Sequence, residues 1–125
     1  MIYTETSKYV VKFYTDPKTN KSYILEYIDN LNEPQKAKIL KYIEFLRINE
    51  GVLYEPYSKH IKGKIRELRI DFGKNKYRIF YFTFIKKTII LLHAFLKHTP
   101  KTPESEIKIA ENNYYIVINN PKTYE

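Results

Sequence analysis

There is no cysteine among the 125 residues. Disulfide frameworks, thiol nucleophiles and cysteine-containing zinc sites are therefore excluded, and a reducing compartment suits the chain. Long hydrophobic runs are missing too. The longest apolar stretches, Ile79 to Ile85 and Ile89 to Leu92, are too short to span a bilayer. The amino terminus has no charged start leading into an apolar run, so the chain reads as soluble, cytoplasmic and without a membrane partner. It has no Gly-rich phosphate loop, no G-x-S-x-G elbow and no H-E-x-x-H motif. Carboxylates are scarce where cations are dense: residues 59–101 hold only Glu67 and Asp71. A metal nuclease needs clustered hard ligands, so neither metal nor cofactor is expected.

What is present is charge, unevenly placed. The net +8 does not lie in residues 1–58, where eight Lys/Arg balance eight Asp/Glu. Residues 59–101 carry twelve Lys/Arg against two Asp/Glu, a net of +10, and residues 102–125 carry two against four, a net of −2. A basic segment between neutral flanks suggests a polyanion site, whereas the plainer reading is a solvated basic face.

The length suits one domain spanning 1–125 with a core of its own. The stretch Lys8 to Tyr14 is aromatic and β-branched, which predicts a strand ended by Asp16-Pro17. Ser22 can cap a short helix with Ile24, Ile28 and Leu31 on one stripe. Asn32-Glu33-Pro34-Gln35 resembles a capping box, opening a helix whose Ile39, Leu40, Ile43 and Leu46 face inward and which stops at Gly51. The two helices form a hairpin. From Ile65 the apolar period becomes two, with Leu68, Ile70 and Phe72 alternating with Glu67, Arg69 and Asp71. Short turns at residues 73–76 and 86–87 lead into strands from Tyr77 to Phe84 and from Thr88 to Phe95, an antiparallel meander. Pro103-Glu104-Ser105-Glu106 opens a last helix through about Tyr115. The predicted fold is α+β: an antiparallel sheet of the N-terminal strand plus a three-stranded meander, the helical hairpin on one face, and a C-terminal helix. The other face is left at least partly open to a ligand.

Three patches could carry chemistry. Arg78, within Tyr77-Arg78-Ile79-Phe80-Tyr81-Phe82, shares a face with Phe80 and Phe82 by alternation. It reads either as a phosphate clamp or as an ion pair with Glu67 or Asp71. On an open face, truncating it would remove a cation without leaving a core cavity. The run Lys59-His60-Ile61-Lys62-Gly63-Lys64-Ile65-Arg66 reads as a basic loop, with Gly63 suited to a tight turn. The third patch is His93 to Lys101: Lys97, His98 and Lys101 lie where the last strand leaves the sheet, while His93 fits a satisfied sheet-face histidine or a direct role. RNA can be cut without metal when a base activates its 2′-hydroxyl, cations stabilise the crowded phosphate and an acid protonates the departing 5′-oxygen. The residue types of the segment match those needs.

In order and spacing, Lys62-Gly63, Arg66-Glu67-Leu68-Arg69, Tyr77-Arg78-Ile79-Phe80-Tyr81, Leu92-His93-Ala94-Phe95-Leu96-Lys97-His98 and Lys101-Thr102-Pro103-Glu104-Ser105-Glu106-Ile107 resemble the RelE/HigB superfamily of toxins, in its phage-derived HigB-like branch. The resemblance covers nearly the whole chain. It implies the toxin of a toxin–antitoxin pair, usually a ribosome-dependent endonuclease acting on mRNA, with a cognate antitoxin often of helix-turn-helix type. Carried over by position, it implies catalytic roles for Arg78, His60, Lys62, Lys64, Arg66, Lys97 and His98. RNA contacts fall to Lys59, Arg69, His93 and Lys101. Ala94 departs from the glycine common in this branch, and His98 from a frequent second lysine. Two other readings compete: a ParE-like toxin that binds DNA gyrase and does no chemistry, and a non-catalytic RNA-binding module that stacks bases on its aromatic residues. An antitoxin is expected to cover part of residues 59–101, since a +10 segment attracts an anionic partner.

Overall fold

The computed structural model describes residues 8–125. Residues 1–7, which carry the reading of the amino terminus, lie outside that range. Along the described chain come β1 (Val10–Phe13), α1 (Tyr23–Asp29), α2 (Glu33–Ile48), β2 (Ser58–Lys62), β3 (Ile65–Phe72), β4 (Asn75–Phe84), β5 (Thr88–Lys97) and α3 (Glu104–Asn119), then a short 3-10 helix at Pro121–Tyr124.

Local chemistry accounts for the helix ends. The Ser22 hydroxyl accepts the Leu25 N–H at 3.3 Å and starts α1. Asn32 starts α2, yet its side chain makes no cap hydrogen bond and the buried Gln35 Oε1 has no partner. The anticipated capping box is not formed. Pro34 in the first turn removes one of the N–H groups that a cap side chain can satisfy, and the Asn32 carbonyl accepts the Lys36 N–H at 2.9 Å as the first bond of the helix. At the other end Glu50 is left-handed (φ 58°), and the N–H of Gly51 (φ 80°) reaches the Leu46 carbonyl at 2.9 Å. A Cβ on Gly51 would lie 2.5 Å from Thr83 Oγ1, and a residue bearing one would have to adopt φ 80°, so both the close pass by β4 and the backbone favour glycine here.

Within α2, Ile39, Ile43 and Leu46 are buried, but Leu40 is 43% exposed. Leu40 follows Ile39 by about 100° around the axis and so leaves the i, i+4, i+7 stripe, which corrects its assignment to the core. α3 runs on to Asn119 rather than stopping near Tyr115, because Val117 continues the buried row begun by Ala110.

The five strands are ordered β1-β5-β4-β3-β2. β2 to β5 form an antiparallel meander, while β1 pairs with β5 in parallel. The sheet is therefore mixed, and it has one strand more than the sequence suggested. Residues 58–62, read as a loop, are edge strand β2. With Ile61 as its only large aliphatic residue, β2 has no alternation to betray it. β5 carries a bulge: Phe80 pairs with His93 and Tyr81 with Leu91, leaving Leu92 over. Asn113 of α3 donates to the Leu92 carbonyl at 2.9 Å and fixes that irregularity.

Register defines two faces. Leu68, Ile70, Tyr77, Ile79 and Tyr81 point toward the α1–α2 hairpin, and Glu67, Arg69, Arg78, Phe80, His93 and Phe95 toward α3. Phe82 meets Tyr114 of α3 edge-on at 4.7 Å. The α3-side face is thus largely covered, not open, and Phe80 and Phe82 are both buried. None of the helices in the described residues is long and apolar enough to cross a membrane. Because Leu46 is fully buried and Leu40 is not, Leu46→Ala should destabilise the domain by about 3 kcal/mol and Leu40→Ala by less than about 1 kcal/mol in urea unfolding.

Candidate functional site

Cross-strand pairing puts Lys59 of β2, Glu67 and Arg69 of β3, Lys76 and Arg78 of β4, and Lys97 of β5 on one face. Where α3 leaves this face uncovered, a cleft of about 420 Å³ opens, lined by Lys59, His60, Arg69, Lys97, Lys101 and Thr102 with Glu104 and Ile107 at the head of α3. A smaller cleft of about 220 Å³ adjoins it, lined by Lys38, Tyr42, Tyr57, Asp71, Arg78 and again Arg69.

A carboxylate with no solvent exposure, Glu67, anchors the cluster. Its Oε1 accepts Arg69 Nε at 3.1 Å and its Oε2 accepts the Thr102 hydroxyl at 2.9 Å. Tied only through Nε, Arg69 keeps its two terminal nitrogens without a hydrogen-bond partner among the described residues. Its side chain is 23% exposed and can present that fork to an anion.

Arg78 behaves differently. It is 5% exposed, and its Nη1 donates to Asp71 Oδ1 at 2.8 Å and to the Tyr77 carbonyl at 2.9 Å. Its buried Nε has no hydrogen-bond partner and lies 3.9 Å from Glu67 Oε1. The ion-pair reading of Arg78 is the geometry found, and the open face expected for it is not. It still borders the smaller cleft.

Lys97 is the tuned group of the site. Burial pushes its pKa below the ordinary lysine value; Glu67 opposes the shift, and Arg78, Arg69 and Lys76 add to it. A lysine in this state yields a proton more readily than an exposed one.

The other anticipated residues are dispersed. Lys62 is exposed and bound to Glu111 of α3 at 3.0 Å, a contact that raises its pKa and keeps it charged. His60 sits on the exposed edge with Nε2 2.8 Å from the Gly63 carbonyl. It also borders a third cleft of about 330 Å³, with Lys64, Arg66, Tyr81 and Thr83. Arg66 points toward the helical hairpin: its Nε donates to Ser58 Oγ at 3.0 Å, and that hydroxyl is 2.7 Å from the Tyr81 hydroxyl. His93 stacks on Phe95 and Phe80, with Nε2 2.6 Å from Glu106 Oε1 of α3. This is the satisfied sheet-face histidine. His98 is exposed just beyond β5. The structure thus brings Lys59, Arg69, Lys97 and Lys101 together, with His60 at the rim, and sets Lys62, Lys64, Arg66, His93 and His98 apart from them.

Sequence reasoning treated Glu67 only as a possible mate for Arg78 and missed Thr102. The available signal was an acidic residue at an alternation position flanked by Arg66 and Arg69. Among the described residues no group of three or more His, Asp or Glu stands close enough to hold a metal ion.

Residues 26–115 match the family model described as Phage derived protein Gp49-like (DUF891). The chain belongs to this Gp49-like family. The match begins within α1 and spans α2, β2 to β5 and most of α3, and so includes every residue of the cationic cleft. No curated protein matches the chain. The Gp49-like family falls within the RelE/HigB-like toxin group, which is consistent with a toxin of a toxin–antitoxin system and implies an antitoxin partner.

Arg78 is itself buried beside Glu67 while its mate Asp71 is largely exposed, so removing it takes one cation from the neighbourhood of Glu67 and leaves a gap where its side chain packed. Arg78→Ala should lower stability by about 2 kcal/mol in urea unfolding, where an open-face cation would have changed it little.

Proposed function

We propose that this Gp49-like protein is a HigB-like endoribonuclease that cuts mRNA on the ribosome without a metal ion. The observation that carries the reading is the cleft itself. It combines an oriented arginine fork, a lysine with lowered proton affinity, and two further lysines in a space that fits a phosphodiester.

In this reading Arg69, Lys59 and Lys101 bind the phosphate and stabilise the charge that builds on it. The 2′-oxygen of the RNA attacks the adjacent phosphorus as its proton passes to a base at the rim, where the His60 imidazole stands. The bond to the 5′-oxygen breaks, and Lys97 gives that oxygen its proton. The products are a 2′,3′-cyclic phosphate and a 5′-hydroxyl. A site with cations but no strong base in its interior suits a substrate that a ribosome presents in a fixed pose. The expected partners are mRNA on the ribosome and a helix-turn-helix antitoxin, whose binding would cover the basic cleft.

The purified protein should cut message in a translating extract and leave ends that polynucleotide kinase can label directly, as a 5′-hydroxyl allows. Intact message beside blocked gyrase supercoiling would instead assign the chain to the ParE-like class. Lys97→Met should slow cutting by roughly two orders of magnitude, a usual loss for a general acid. Because Lys97 acts in its protonated form, wild-type activity should fall as pH rises through its lowered pKa, a limb beginning below the ordinary lysine range. A falling limb that persists in Lys97→Met would show that another group gives the proton.

A further inference from the structure

We propose that Glu67 is a positioning residue of the cationic cleft: its buried carboxylate aims Arg69 through Nε and ties Thr102, at the head of α3, over the same site. The inference rests on the nuclease reading for its kinetic arm alone.

The geometry calls for such a group. Arg69 and Arg78 are directly paired across β3 and β4 on one face, where like charges repel. Two register positions away on the same face, Glu67 is paired with Phe80 and has no solvent exposure. A carboxylate is rarely buried so fully unless its oxygens are engaged, and here each one is: Oε1 by Arg69 and Oε2 by Thr102. The first bond fixes the guanidinium plane while leaving its fork free, so little rotamer freedom is lost when a phosphate arrives. The second holds the chain beside Lys101 and places that lysine across the cleft from Arg69.

Glu67 also governs Lys97. The charged and titratable groups around that lysine are Lys59 and His60 on β2, Glu67 and Arg69 on β3, Lys76 and Arg78 on β4, and Lys101 and Glu104 beyond β5. Burial and the flanking cations draw the proton off Lys97, and Glu67 is the anion that retains it.

Three variants test the assignment. Glu67→Gln keeps the shape and removes the charge, Glu67→Asp keeps the charge on a shorter arm, and Thr102→Val cuts only the tether to the loop. In Glu67→Gln, the Lys97 titration followed by NMR should move to lower pH, and it should move back in Glu67→Asp. A short 2′-O-methylated RNA, which cannot be cut, should bind Glu67→Gln with an affinity within a few fold of wild type, since losing a repelling charge offsets losing the ordered fork. Cutting in the translating extract should nevertheless fall by roughly tenfold to a hundredfold, the usual loss when the support of a reacting group is removed. Glu67→Asp should recover part of it. Thr102→Val should fold normally and cut more slowly, which keeps the test alive if Glu67→Gln does not fold. An unmoved Lys97 titration with unchanged cutting would overturn the proposal. So would RNA binding and cutting that decline together in step with the folded fraction, the mark of a merely structural carboxylate. If wild type itself cuts nothing, the nuclease reading fails, while the Lys97 shift in Glu67→Gln still decides the role of Glu67.

Discussion

Two guanidinium groups face each other across the centre of this sheet, and a single buried carboxylate makes that arrangement tenable. Arg69 and Arg78 occupy one rung of β3 and β4, with Glu67 two rungs away on the same face. Without an anion there, the α3-side face would hold two like charges on one rung, one of them almost wholly out of water, at a considerable cost. With it, the two arginines take different fates. Arg78, held by Asp71 and packed out of solvent, is part of the framework, while Arg69 is held at one nitrogen and stays available at the others. The same carboxylate fastens the loop leading into α3 beside the cleft, while Asn113, Glu106 and Tyr114 hold the helix itself to the sheet.

Most of the framework was legible because the elements with strong periodicity are those with a buried stripe. β3 to β5 and their turns could be read from alternation, and α1 and α2 from Ser22, Ile39, Ile43 and Leu46. β2 escaped because its burial is confined to Ser58, whose hydroxyl is engaged by Tyr81 and Arg66, and a buried serine leaves no hydrophobic signal. The parallel pairing of β1 with β5 could not be read either. It joins residues about 80 positions apart, and local pattern holds nothing about such a partner.

The candidate site was legible as a segment but not as a constellation. A run such as His60 to Arg66 reads as one basic patch, although alternation along β2 and β3 sends neighbouring side chains to opposite faces. Arg66 ends against Ser58 toward the hairpin, Lys62 against Glu111 of α3, and Arg69 against Glu67 in the cleft. Conversely, Lys59, Arg69 and Lys97 come from three strands and meet only because register brings their rungs together. Arg78, the most conspicuous cation in the sequence, sits mid-strand in an apolar run, and that is also why it is the most buried.

Cations on β2 have a second physical explanation that must be separated from any role toward RNA. An edge strand offers unpaired backbone groups to other chains, and charged side chains with a bulge are common protection against pairing. β2 has both: Lys59 and Lys62, and an irregular register between His60 and Lys62. The other edge, β1, is only four residues long, and Lys12 there reaches the Glu125 carbonyl. Edge protection accounts for exposed charge and nothing more, because a lysine that remains in water guards an edge at almost no energetic cost. It gives no reason to draw Lys97 partly out of water beside Arg69 and Arg78, where desolvation and like charge both oppose its ammonium. Structures keep such arrangements where the perturbed group is used, so the partly buried cations, rather than the exposed ones, are the stronger sign of function.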